Sequence, residues 1–455
     1  MKVVTRFAPS PTGFLHIGGA RTALFNYLFA KKYNGTYLVR IEDTDLKRST
    51  NKAVQAIHDG LNWLKLNTTE NIIYQSKQLN EHVKIAHQLL EGGFAYKCYL
   101  NQEELSKLRV KSRESGIPIK SPWRERNLSD SSESFVIRLK MPLEGTTTIN
   151  DVVQGDVTIN NDILDDMIIL RSDKTPTYML SSVVDDYNME ITHIIRGDDH
   201  FNNAFRQIQI INYLNWNKPI YAHIPLIHGS DGTKLSKRHG ATNVYDYHKM
   251  GYTNDAICSY LLQLGWATNN EDDYNLNSAT SLFSLEKINK SPAKFDLKKL
   301  NNINSKFLRS MDLDKVYQLV INDLDITPSF QQEKRLKNLI PELLKRMNVY
   351  TDIKDDIEWI MQENFICKNN EHLTNLKNAQ SLFKEIALLL EKCDWSKEAI
   401  DNCLNKFLIE KSLKFKDIGP ILRVVLTGKT SSPDIITIIH VLGCEICVNR
   451  LNYEY

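Results

Sequence analysis

The sequence predicts an α/β fold in its first half and an all-helical second half, and two patterns carry this prediction. Near the N-terminus, a short apolar strand at residues 2–7 leads through a turn rich in proline and glycine into a helix at about residues 16–32. Gly35 then ends the helix, and residues 37–41 form the next apolar strand. A strand, a helix and a second strand in this order are typical of a parallel sheet. From about residue 250 onward, amphipathic helical patterns dominate and strand patterns become rare.

The remaining elements are predicted from the same two periodicities. In the first half, helices are predicted at residues 51–64, 78–92 and 202–214. Strand-like runs occur at residues 135–139, 155–159, 167–170 and 191–196. Residues 95–185 mix short strands with a polar, charged stretch, and we interpret them as an insertion. In the second half, helices are predicted at residues 255–264, 335–349, 379–392 and 397–409.

Length and composition limit the class of protein. The 455 residues are enough for roughly two to four domains of ordinary size. A hydrophobic fraction of 42% and a charged fraction of 25% are typical of a soluble globular protein. No apolar run approaches the roughly 20 residues of a membrane-spanning helix, and the N-terminus lacks the apolar stretch of a signal peptide. We therefore expect a cytoplasmic protein without a membrane partner.

Cysteine content and net charge indicate no further function. The seven cysteines are scattered and odd in number, which does not suit a disulfide framework. Cys444 and Cys447 have C-x-x-C spacing, but no second pair of Cys or His residues accompanies them. A buried helix end explains them better than a redox or metal site. The formal net charge of +2 neither supports nor excludes a nucleic-acid partner, because binding depends on where basic residues cluster.

The first group of candidate functional residues is the turn at residues 9–19, which leads into the first helix. Small residues at such a junction let backbone N–H groups approach an anion, and the helix dipole favours negative charge there. His16 can donate a hydrogen bond to a phosphate, and Gly18 leaves room for a nucleotide close to the backbone. Taken alone, the pattern also fits a turn that only starts a helix.

The second group is a basic segment at residues 229–238, which ends in Lys-Leu-Ser-Lys-Arg. Three cations fall within the last five residues of the segment. Lysines act well on phosphates as point charges at the end of a long stem. The segment lacks the G-x-x-x-x-G-K-[ST] spacing of a P-loop, so ordinary NTPase chemistry is not indicated. Taken alone, the segment also fits a solvated basic loop.

The third group consists of charged residues at predicted strand ends, namely Arg6, Glu42 and Arg196. An amino-acid substrate needs cations for its carboxylates and an anion for its ammonium group. The carboxyl ends of strands are where an open α/β sheet binds its ligands. Each residue alone also fits a surface ion pair, so only the whole arrangement indicates a binding site.

Together these segments resemble the signatures of bacterial glutamyl-tRNA synthetases. Residues 6–19 resemble the first signature of that family, and residues 234–238 resemble the second signature of class I synthetases. The family pattern continues, in order, at residues 39–45, 176–178, 183–186 and 195–200. The match covers essentially the whole chain. It implies a Rossmann-like parallel-sheet catalytic domain with an α+β insertion, followed by an all-α anticodon-binding region.

The resemblance also implies a domain organisation. The catalytic domain would occupy residues 1–94 and 186–240, interrupted by a domain at residues 95–185 that binds the acceptor end of tRNA. A helical stem-contact domain would follow at residues 241–310. An all-helical anticodon-binding domain would complete the chain at residues 311–455.

The resemblance further assigns a role to each candidate residue. The residues that line the glutamate pocket would be Arg6, Ala8, Ser10, Glu42, Tyr178, Ser182 and Arg196. The residues that hold ATP would be His16, Gly18, Asp199, Lys234, Ser236 and Lys237. Among them, His16, Lys234 and Lys237 would be catalytic. A guanidinium would hold the side-chain carboxylate of glutamate in a bidentate fork, and glutamine would be rejected because it carries no charge there.

The implied reaction has two steps. Glutamate attacks the α-phosphate of ATP to give glutamyl-adenylate and pyrophosphate, and the terminal ribose hydroxyl of tRNA(Glu) then takes the glutamyl group. Mg²⁺ is expected with ATP, held largely by the substrate phosphates, and we expect a monomer. One basic run of the insertion either contacts tRNA phosphates or forms a solvated loop. Its members are Lys107, Arg109, Lys111, Arg113, Lys120, Arg124 and Arg126.

Three features depart from the family pattern. The first signature ends in Gly19 where many class I enzymes have His, a change that the family tolerates. Ser182 stands where some members have Asn, and its hydroxyl can still form a hydrogen bond. Some members also hold zinc in the insertion through a C-x-C pair and a later Cys/His pair. Here Cys98 is present, but position 100 is Leu and residues 123–127 offer neither Cys nor His, so we predict no zinc.

Two alternatives stay open at this stage. The enzyme could load glutamate also, or mainly, onto glutamine tRNA, because the contacts that select the tRNA carry no motif. From another class, the chain could be a non-catalytic tRNA-binding paralogue, although intact His16, Lys234 and Lys237 speak against this. A glutaminyl-tRNA synthetase is disfavoured because its first signature usually reads Pro-Glu-Pro-Asn-Gly, where residues 9–13 here read Pro-Ser-Pro-Thr-Gly.

Overall fold

The protein is described by a computed structural model that covers residues 2–45, 48–126, 134–233, 243–266, 274–367 and 370–455. The chain divides into two compact units. The first comprises Met1–His248 and Asn254–Leu300, and the second comprises Lys249–Thr253 and Asn301–Tyr455. The boundaries of the four sequence-derived domains stay predictions.

The first unit alternates strands and helices. Up to the third helix its elements are β1 Val4–Phe7, α1 Ile17–Lys32, β2 Thr36–Ile41, α2 Asn51–Trp63, β3 Ile73–Tyr74 and α3 Leu79–Glu91. The middle part contains β4 Ala95–Cys98, α4 Gln102–Ser115, β5 Val136–Leu139, β6 Thr146–Asp151, β7 Gly155–Asn160 and β8 Ile168–Leu170. There follow α5 Tyr178–Asn188, β9 His193–Gly197, α6 Phe201–Tyr213, β10 Ile220–Ile224 and β11 Ile227–His228. The last elements are α7 Val244–Lys249, α8 Asn254–Gln263, α9 Leu276–Leu282 and β12 Ala293–Lys294.

A seven-stranded sheet organises the first unit, with the strand order β3-β2-β1-β9-β10-β6-β7. Neighbouring strands run parallel except β6 and β7, which form an antiparallel hairpin at the edge. The chain leaves β1 for β2 on one side, whereas β9 pairs with β1 on the other side. Such a switch point opens a crevice at the carboxyl ends of the strands. This edge of the sheet is therefore where a ligand is expected.

Helix α1 illustrates how the local sequence sets the first turn of this sheet. His16 caps the helix, because its side chain accepts a hydrogen bond from the backbone N–H of Gly19. Lys31 and Lys32 lie in the last turn, where the helix dipole favours positive charge. Gly35 lies three residues later, just before β2, and a Cβ there would lie 2.2 Å from the backbone oxygen of Val3. A side chain at this position would therefore push the start of β2 away from the start of β1.

Residues 95–185 contribute to two different sheets. Strands β4, β5 and β8 form a separate antiparallel sheet, whereas β6 and β7 extend the main sheet next to β10. The buried positions of β6 alternate with exposed ones, and two of them are polar. The hydroxyl of Thr147 donates a hydrogen bond to Asn161 and accepts one from Gln209. The carboxylate of Asp151 is hydrogen-bonded to the imidazole of His223. Hydrogen bonding therefore lets a threonine-rich strand enter the sheet.

One hydrophobic cluster joins the small sheet to the main one. It contains Leu139 from β5, Val184 from α5, Ile194 from β9 and Phe205 from α6, all buried. A single cluster shared by these elements fixes their relative positions, because protein interiors are close-packed. The cluster thereby fixes the start of α5 relative to β9.

Helix α4 shows that the polar stretch after residue 101 is partly ordered. It begins with a capping box, in which Asn101 and Glu104 bond each other's backbone N–H groups. Gly116, in a left-handed conformation, ends the helix. The helix buries none of its residues, which is why its apolar periodicity was too weak to predict it.

The second unit is helical. After α10 Leu297–Ser310, its helices are α11 Leu313–Leu324, α12 Phe330–Leu343, α13 Lys354–Met361, α14 Asn370–Asn378, α15 Gln380–Glu391, α16 Lys397–Glu410, α17 Phe415–Thr427, α18 Ile435–Leu442 and α19 Cys444–Asn452. The helix predicted at residues 335–349 was displaced. It begins earlier because Ser329 and Gln332 form a capping box, and it ends at Leu343.

The second unit has its own hydrophobic core, which includes Trp359, Phe383 and Leu422. Within the described residues, no single helix is long and apolar enough to cross a membrane. The bent pair Ile435–Leu442 and Cys444–Asn452 passes the same length and composition test only when its two helices are taken together. Both helices contribute buried residues to the core of the second unit.

Candidate active site

A pocket of about 530 Å³ opens at the carboxyl ends of β1, β2 and β9. It is the place at which an open parallel sheet is expected to bind a ligand. Most of the candidate residues line it: Arg6, Ala8, Ser10, His16, Gly18, Glu42, Tyr178, Arg196 and Asp199. Residues from both proposed binding sites therefore share one cavity.

Four candidate residues are not found in this lining. Ser182 is buried within α5 and does not belong to the described lining of the pocket. Lys234, Ser236 and Lys237 lie outside the described residues. The described residues on both sides of their segment do lie beside the pocket. Ile227 lines it, and the backbone N–H of Val244 donates to the carbonyl of Leu15, over 2.7 Å.

A larger cavity, of about 1080 Å³, opens at the opposite, amino ends of the same strands. Its lining includes Lys2, Thr36, Thr192 and Ile220, each at or near the start of a strand. It lacks the turn after β1 and the start of α1. Because ligands of open α/β sheets bind at the carboxyl edge, we place the active site in the smaller pocket.

The start of α1 forms one end of this pocket. Nδ1 of His16 accepts from the backbone N–H of Gly19 over 3.1 Å, so a neutral imidazole carries its proton on Nε2. A Cβ at Gly18 would lie 3.2 Å from the imidazole of His16, which explains the absence of a side chain there. An anion at this point would meet the positive end of the helix dipole and an imidazole donor.

Arg6 lies at the other end of the pocket, held by a buried carboxylate. Its Nε and Nη2 donate to the two oxygens of Asp186, over 3.0 and 3.2 Å. Arg40 donates to the same carboxylate over 2.6 Å and to Glu42 over 3.1 Å. The two bonds to Asp186 use one edge of the Arg6 guanidinium. Its end edge, Nη1 with the second N–H of Nη2, is oriented by the ion pair and fits a bidentate carboxylate ligand.

The two carboxylates of this network respond differently to burial. Burial by itself would raise the pKa of Asp186, but Arg40 and Arg6 outweigh it and lower that pKa below its usual value. Burial raises the pKa of Glu42, and Arg40 opposes the shift only in part. A ligand ammonium group beside Glu42 would add a further cation to Arg40 and Arg6 and favour the charged carboxylate. Asp186 therefore holds the guanidinium groups of Arg6 and Arg40, whereas Glu42 is the carboxylate that can bind the ammonium group of a ligand.

Arg196 forms the third side of the pocket and is held by several acceptors. Its Nη1 donates to Gln207 over 2.9 Å and to the hydroxyl of Tyr178 over 3.3 Å. Its Nε donates to Nε2 of His223 over 3.0 Å. Burial raises the pKa of Tyr178, so its hydroxyl stays protonated near neutral pH. The guanidinium is thus presented to the pocket in a defined orientation.

We expect the stability of the protein to depend on pH through His223. Burial lowers the pKa of His223 to about 4, although the hydrogen bond to Asp151 opposes the shift. The unfolded chain keeps the ordinary value of 6.5, so between these pH values the unfolded state binds the extra proton. The contribution of His223 to the free energy of unfolding should therefore be fully present above pH 6.5. As the pH is lowered to 4, the free energy of unfolding should fall by roughly 3 kcal/mol.

The measurement is urea unfolding at a series of pH values, compared with the variant His223→Gln. The variant carries no titrating group at this position, so its curve should be flatter between pH 4 and 6.5. Parallel curves for the two proteins would contradict the assignment of a depressed pKa to His223.

Four residues that support the pocket were not predicted from the sequence. Arg40 and Asp186 lie inside the segments that match the family pattern, whereas Asp151 and His223 lie outside them. A signal existed for two of them. Arg40 is a charge between apolar residues of a predicted strand, and Asp186 lies two residues after Val184 in a helix whose residues 180–186 are buried. Charges at buried positions need partners.

The region of the insertion in which a zinc site was considered is packed by aromatic rings. Tyr99 lies against Trp123 and Phe135, with ring centroids 5.0 and 5.6 Å apart. Cys98 is buried, and its sulfur lies 3.4 Å from the hydroxyl of Ser121. Over the described ranges, no group of three or more His, Cys, Asp or Glu residues is arranged to hold a metal ion. The expectation of no zinc stays a prediction.

A parallel sheet with a charged pocket beside a helix N-terminus places the protein among the α/β proteins whose ligand site lies at the carboxyl edge of the sheet, and comparison with known proteins narrows the class further. Residues 2–302 match the family model of tRNA synthetases class I (E and Q), catalytic domain. Residues 313–454 match the model of an anticodon binding domain. The chain therefore belongs to the class I tRNA synthetases of the glutamate and glutamine group.

Relatives and solved structures of the same length agree with this membership. A glutamate--tRNA ligase 1 from Granulibacter bethesdensis is 43% identical, over 99% of this chain and 96% of the relative. A glutamate--tRNA ligase 2 from Rickettsia typhi is 44% identical, over 100% and 98%. A crystal structure of a glutamate tRNA ligase from Elizabethkingia meningosepticum, in complex with its amino acid, matches with a TM-score of 0.88 at 25% identity, covering 99% of each chain.

These comparisons confirm three predictions made from the sequence. The family is confirmed, as is the fold class of a Rossmann-like catalytic domain followed by a helical anticodon-binding region. The assignment to glutamate--tRNA ligases is confirmed as well, because relatives of that name match along the full length. The individual site residues and the domain boundaries stay predictions.

Proposed function

We propose that this enzyme joins L-glutamate to tRNA(Glu) with ATP, through a glutamyl-adenylate, and that the described pocket performs the first step. The observation that carries the proposal is the meeting of two guanidinium groups and a carboxylate with the start of α1 in one cavity. Arg6 and Arg196 suit the carboxylates of an acidic amino acid, and Glu42 suits its ammonium group. His16 and Gly18 at the helix start suit a phosphate.

The proposed chemistry is a displacement at phosphorus followed by acyl transfer. The α-carboxylate oxygen of glutamate forms a bond to the α-phosphorus of ATP, and the bond to the β-phosphate oxygen breaks to release pyrophosphate. The terminal ribose hydroxyl of tRNA then attacks the carbonyl carbon, loses its proton and releases AMP. In both steps negative charge shifts on phosphate oxygens. His16, Lys234 and Lys237 would stabilise that charge, with Gly18, Ser236 and Asp199 holding the nucleotide.

Arg6, rather than Arg196, is our choice for the bidentate hold on the glutamate side chain. The end edge of Arg6 is oriented by Asp186, whereas Arg196 already shares Nη1 between Gln207 and Tyr178. Ala8 and Ser10 would line the pocket beside Arg6. Ser182, buried within α5, would act through its packing against the pocket wall rather than by contact.

We propose that Mg²⁺ arrives with ATP and is held largely by its phosphates, which is how Mg²⁺ commonly binds in enzymes that use nucleotides. We also propose that the enzyme acts as a monomer in the cytoplasm. Among the basic residues of the insertion, Lys107, Arg109 and Lys111 lie on the fully solvated helix α4 and suit tRNA phosphates. Arg124 suits them less, because it is mostly buried against Asp166.

The test is side-by-side charging of purified tRNA(Glu) and tRNA(Gln) with labelled glutamate. We expect glutamate to be esterified to tRNA(Glu) with release of AMP and pyrophosphate, and labelled glutamine to give no product. Charging of both tRNAs, or of tRNA(Gln) alone, would support the alternative of relaxed or shifted tRNA selection. Binding of tRNA without any charging would support the non-catalytic paralogue and contradict the proposal.

A further inference from the structure

Arg196 is the end member of a buried hydrogen-bonded chain that crosses three adjacent strands. His223 in β10 is the register partner of Arg196 in β9, and its Nε2 accepts from Nε of Arg196 over 3.0 Å. Nδ1 of His223 lies 2.6 Å from Oδ2 of Asp151, the last residue of β6. All three residues are at most 6% exposed. Water therefore has little access to these contacts.

The chain has one consistent arrangement of protons. An arginine Nε always donates, so Nε2 of His223 must accept and its ring proton must be on Nδ1, where it is donated to Asp151. A second proton on His223 would point an N–H at the guanidinium and break the chain. Depression of the pKa of His223 to about 4, mainly by burial, keeps that proton away at neutral pH.

Asp151 is itself fixed at the turn between β6 and β7. Its Oδ1 accepts from the backbone N–H groups of Val153 and Gln154, over 2.9 and 2.8 Å. Its carboxylate also accepts from the backbone N–H of His223. Burial by itself would raise the pKa of Asp151, but the hydrogen bonds from His223 and the turn lower it. The orientation of the imidazole is therefore set by the hairpin at the sheet edge.

We propose that His223 and Asp151 are positioning residues for the amino-acid substrate, which hold the Arg196 guanidinium in the plane in which it meets the substrate carboxylate. This inference rests on the proposed assignment of Arg196 to the glutamate pocket. His223 fixes Nε while Gln207 fixes Nη1, so two different nitrogens of one planar group are held and its rotation is prevented. Holding the group before the substrate binds removes the cost of ordering a long side chain during binding.

The alternative is that His223 only fills space in the sheet. Its ring packs against Phe201 and Tyr221, with centroids 4.9 and 5.8 Å apart, so an apolar side chain of similar size can preserve this packing. The variant His223→Leu keeps the volume and removes the acceptor. The variant His223→Gln replaces Nε2 by an amide oxygen and restores an acceptor for Arg196. A purely structural role would not distinguish between these variants in substrate use.

The experiment measures KM and kcat for glutamate and for ATP in full-length wild type, His223→Leu, His223→Gln and Arg196→Lys. For His223→Leu we expect the glutamate KM to rise roughly 10-fold to 100-fold, the range for a misplaced substrate-binding group. The ATP KM should stay within about 2-fold, because the nucleotide meets other residues. His223→Gln should recover most of the loss. Thermal unfolding of each variant reports on folding.

The outcomes separate this inference from the pocket assignment. A raised glutamate KM in Arg196→Lys together with a normal glutamate KM in His223→Leu would overturn the positioning role of His223. It would not affect the assignment of Arg196 to the glutamate pocket. A normal glutamate KM in Arg196→Lys would overturn the pocket assignment, and the inference with it. Equal losses for both substrates would indicate a structural role and overturn it. If His223→Leu does not fold, Asp151→Asn decides the question, with a glutamate KM raised about 3-fold or more expected and an unchanged one contradicting the role.

Discussion

Arg6→Lys is expected to lower kcat/KM for glutamate by roughly two to four orders of magnitude while leaving the ATP KM nearly unchanged. A lysine keeps the positive charge beside Asp186 but offers a single ammonium in place of a planar fork. It cannot hold Asp186 on one edge and a ligand carboxylate on the other. Two charge-assisted hydrogen bonds to glutamate are lost, each worth about 1.5–3 kcal/mol.

The fold should tolerate this substitution. Asp186 keeps its bond to Arg40, over 2.6 Å, so no buried carboxylate is left without a cation. Arg206→Lys is the matched control, because Arg206 forms the same kind of ion pair with the half-exposed Asp165 outside the pocket. Tritiated-glutamate charging and thermal unfolding of both variants complete the test. Normal glutamate kinetics in a folded Arg6→Lys protein would show that the acidic side chain is held elsewhere.

The parts of the fold that could be predicted are those in which apolar periodicity is strong. Helix α1 and strand β2 were predicted within one residue of their observed ends, because both bury a continuous apolar face against the sheet. Strand β6 was not predicted. Its buried positions include Thr147 and Asp151, which are satisfied by hydrogen bonds to residues far along the chain. A pattern of apolar residues does not record such tertiary contacts.

The same limit explains which parts of the site were predicted. Glu42 and Arg196 lie at or near the ends of strands and His16 lies at the start of a helix, where local sequence indicates a ligand edge. The residues that orient them act across the fold. Asp186 reaches Arg6 from 180 positions away in the sequence, and Asp151 reaches His223 from 72 positions away. The sequence shows where these carboxylates stand along the chain. Only the packing of α5 and of the β6–β7 hairpin shows which side chain each carboxylate binds.

Lys237→Ala is expected to have the second large effect, a loss of roughly 10²–10³ in the rate of adenylate formation with little change in tRNA affinity. Lys237 would place its charge on the phosphates as the bond between the α- and β-phosphates breaks, when negative charge on pyrophosphate increases. Its position lies outside the described residues, but described residues before and after it lie beside the pocket. Ile227 lines the cavity before the segment, and Val244 is bonded to Leu15 after it.

The measurement is pyrophosphate exchange in the presence of tRNA, together with tRNA binding by filter retention. Lys218→Ala is the control, because Lys218 is an exposed lysine before β10, at the opposite end of the strands from the pocket. An exchange rate in Lys237→Ala equal to that of the control would refute a catalytic role for this lysine. A fall in exchange accompanied by an equal fall in tRNA affinity would assign it to tRNA binding instead. A fall in exchange alone is expected, because a charge that acts on the leaving pyrophosphate contributes to the transition state more than to the bound substrates.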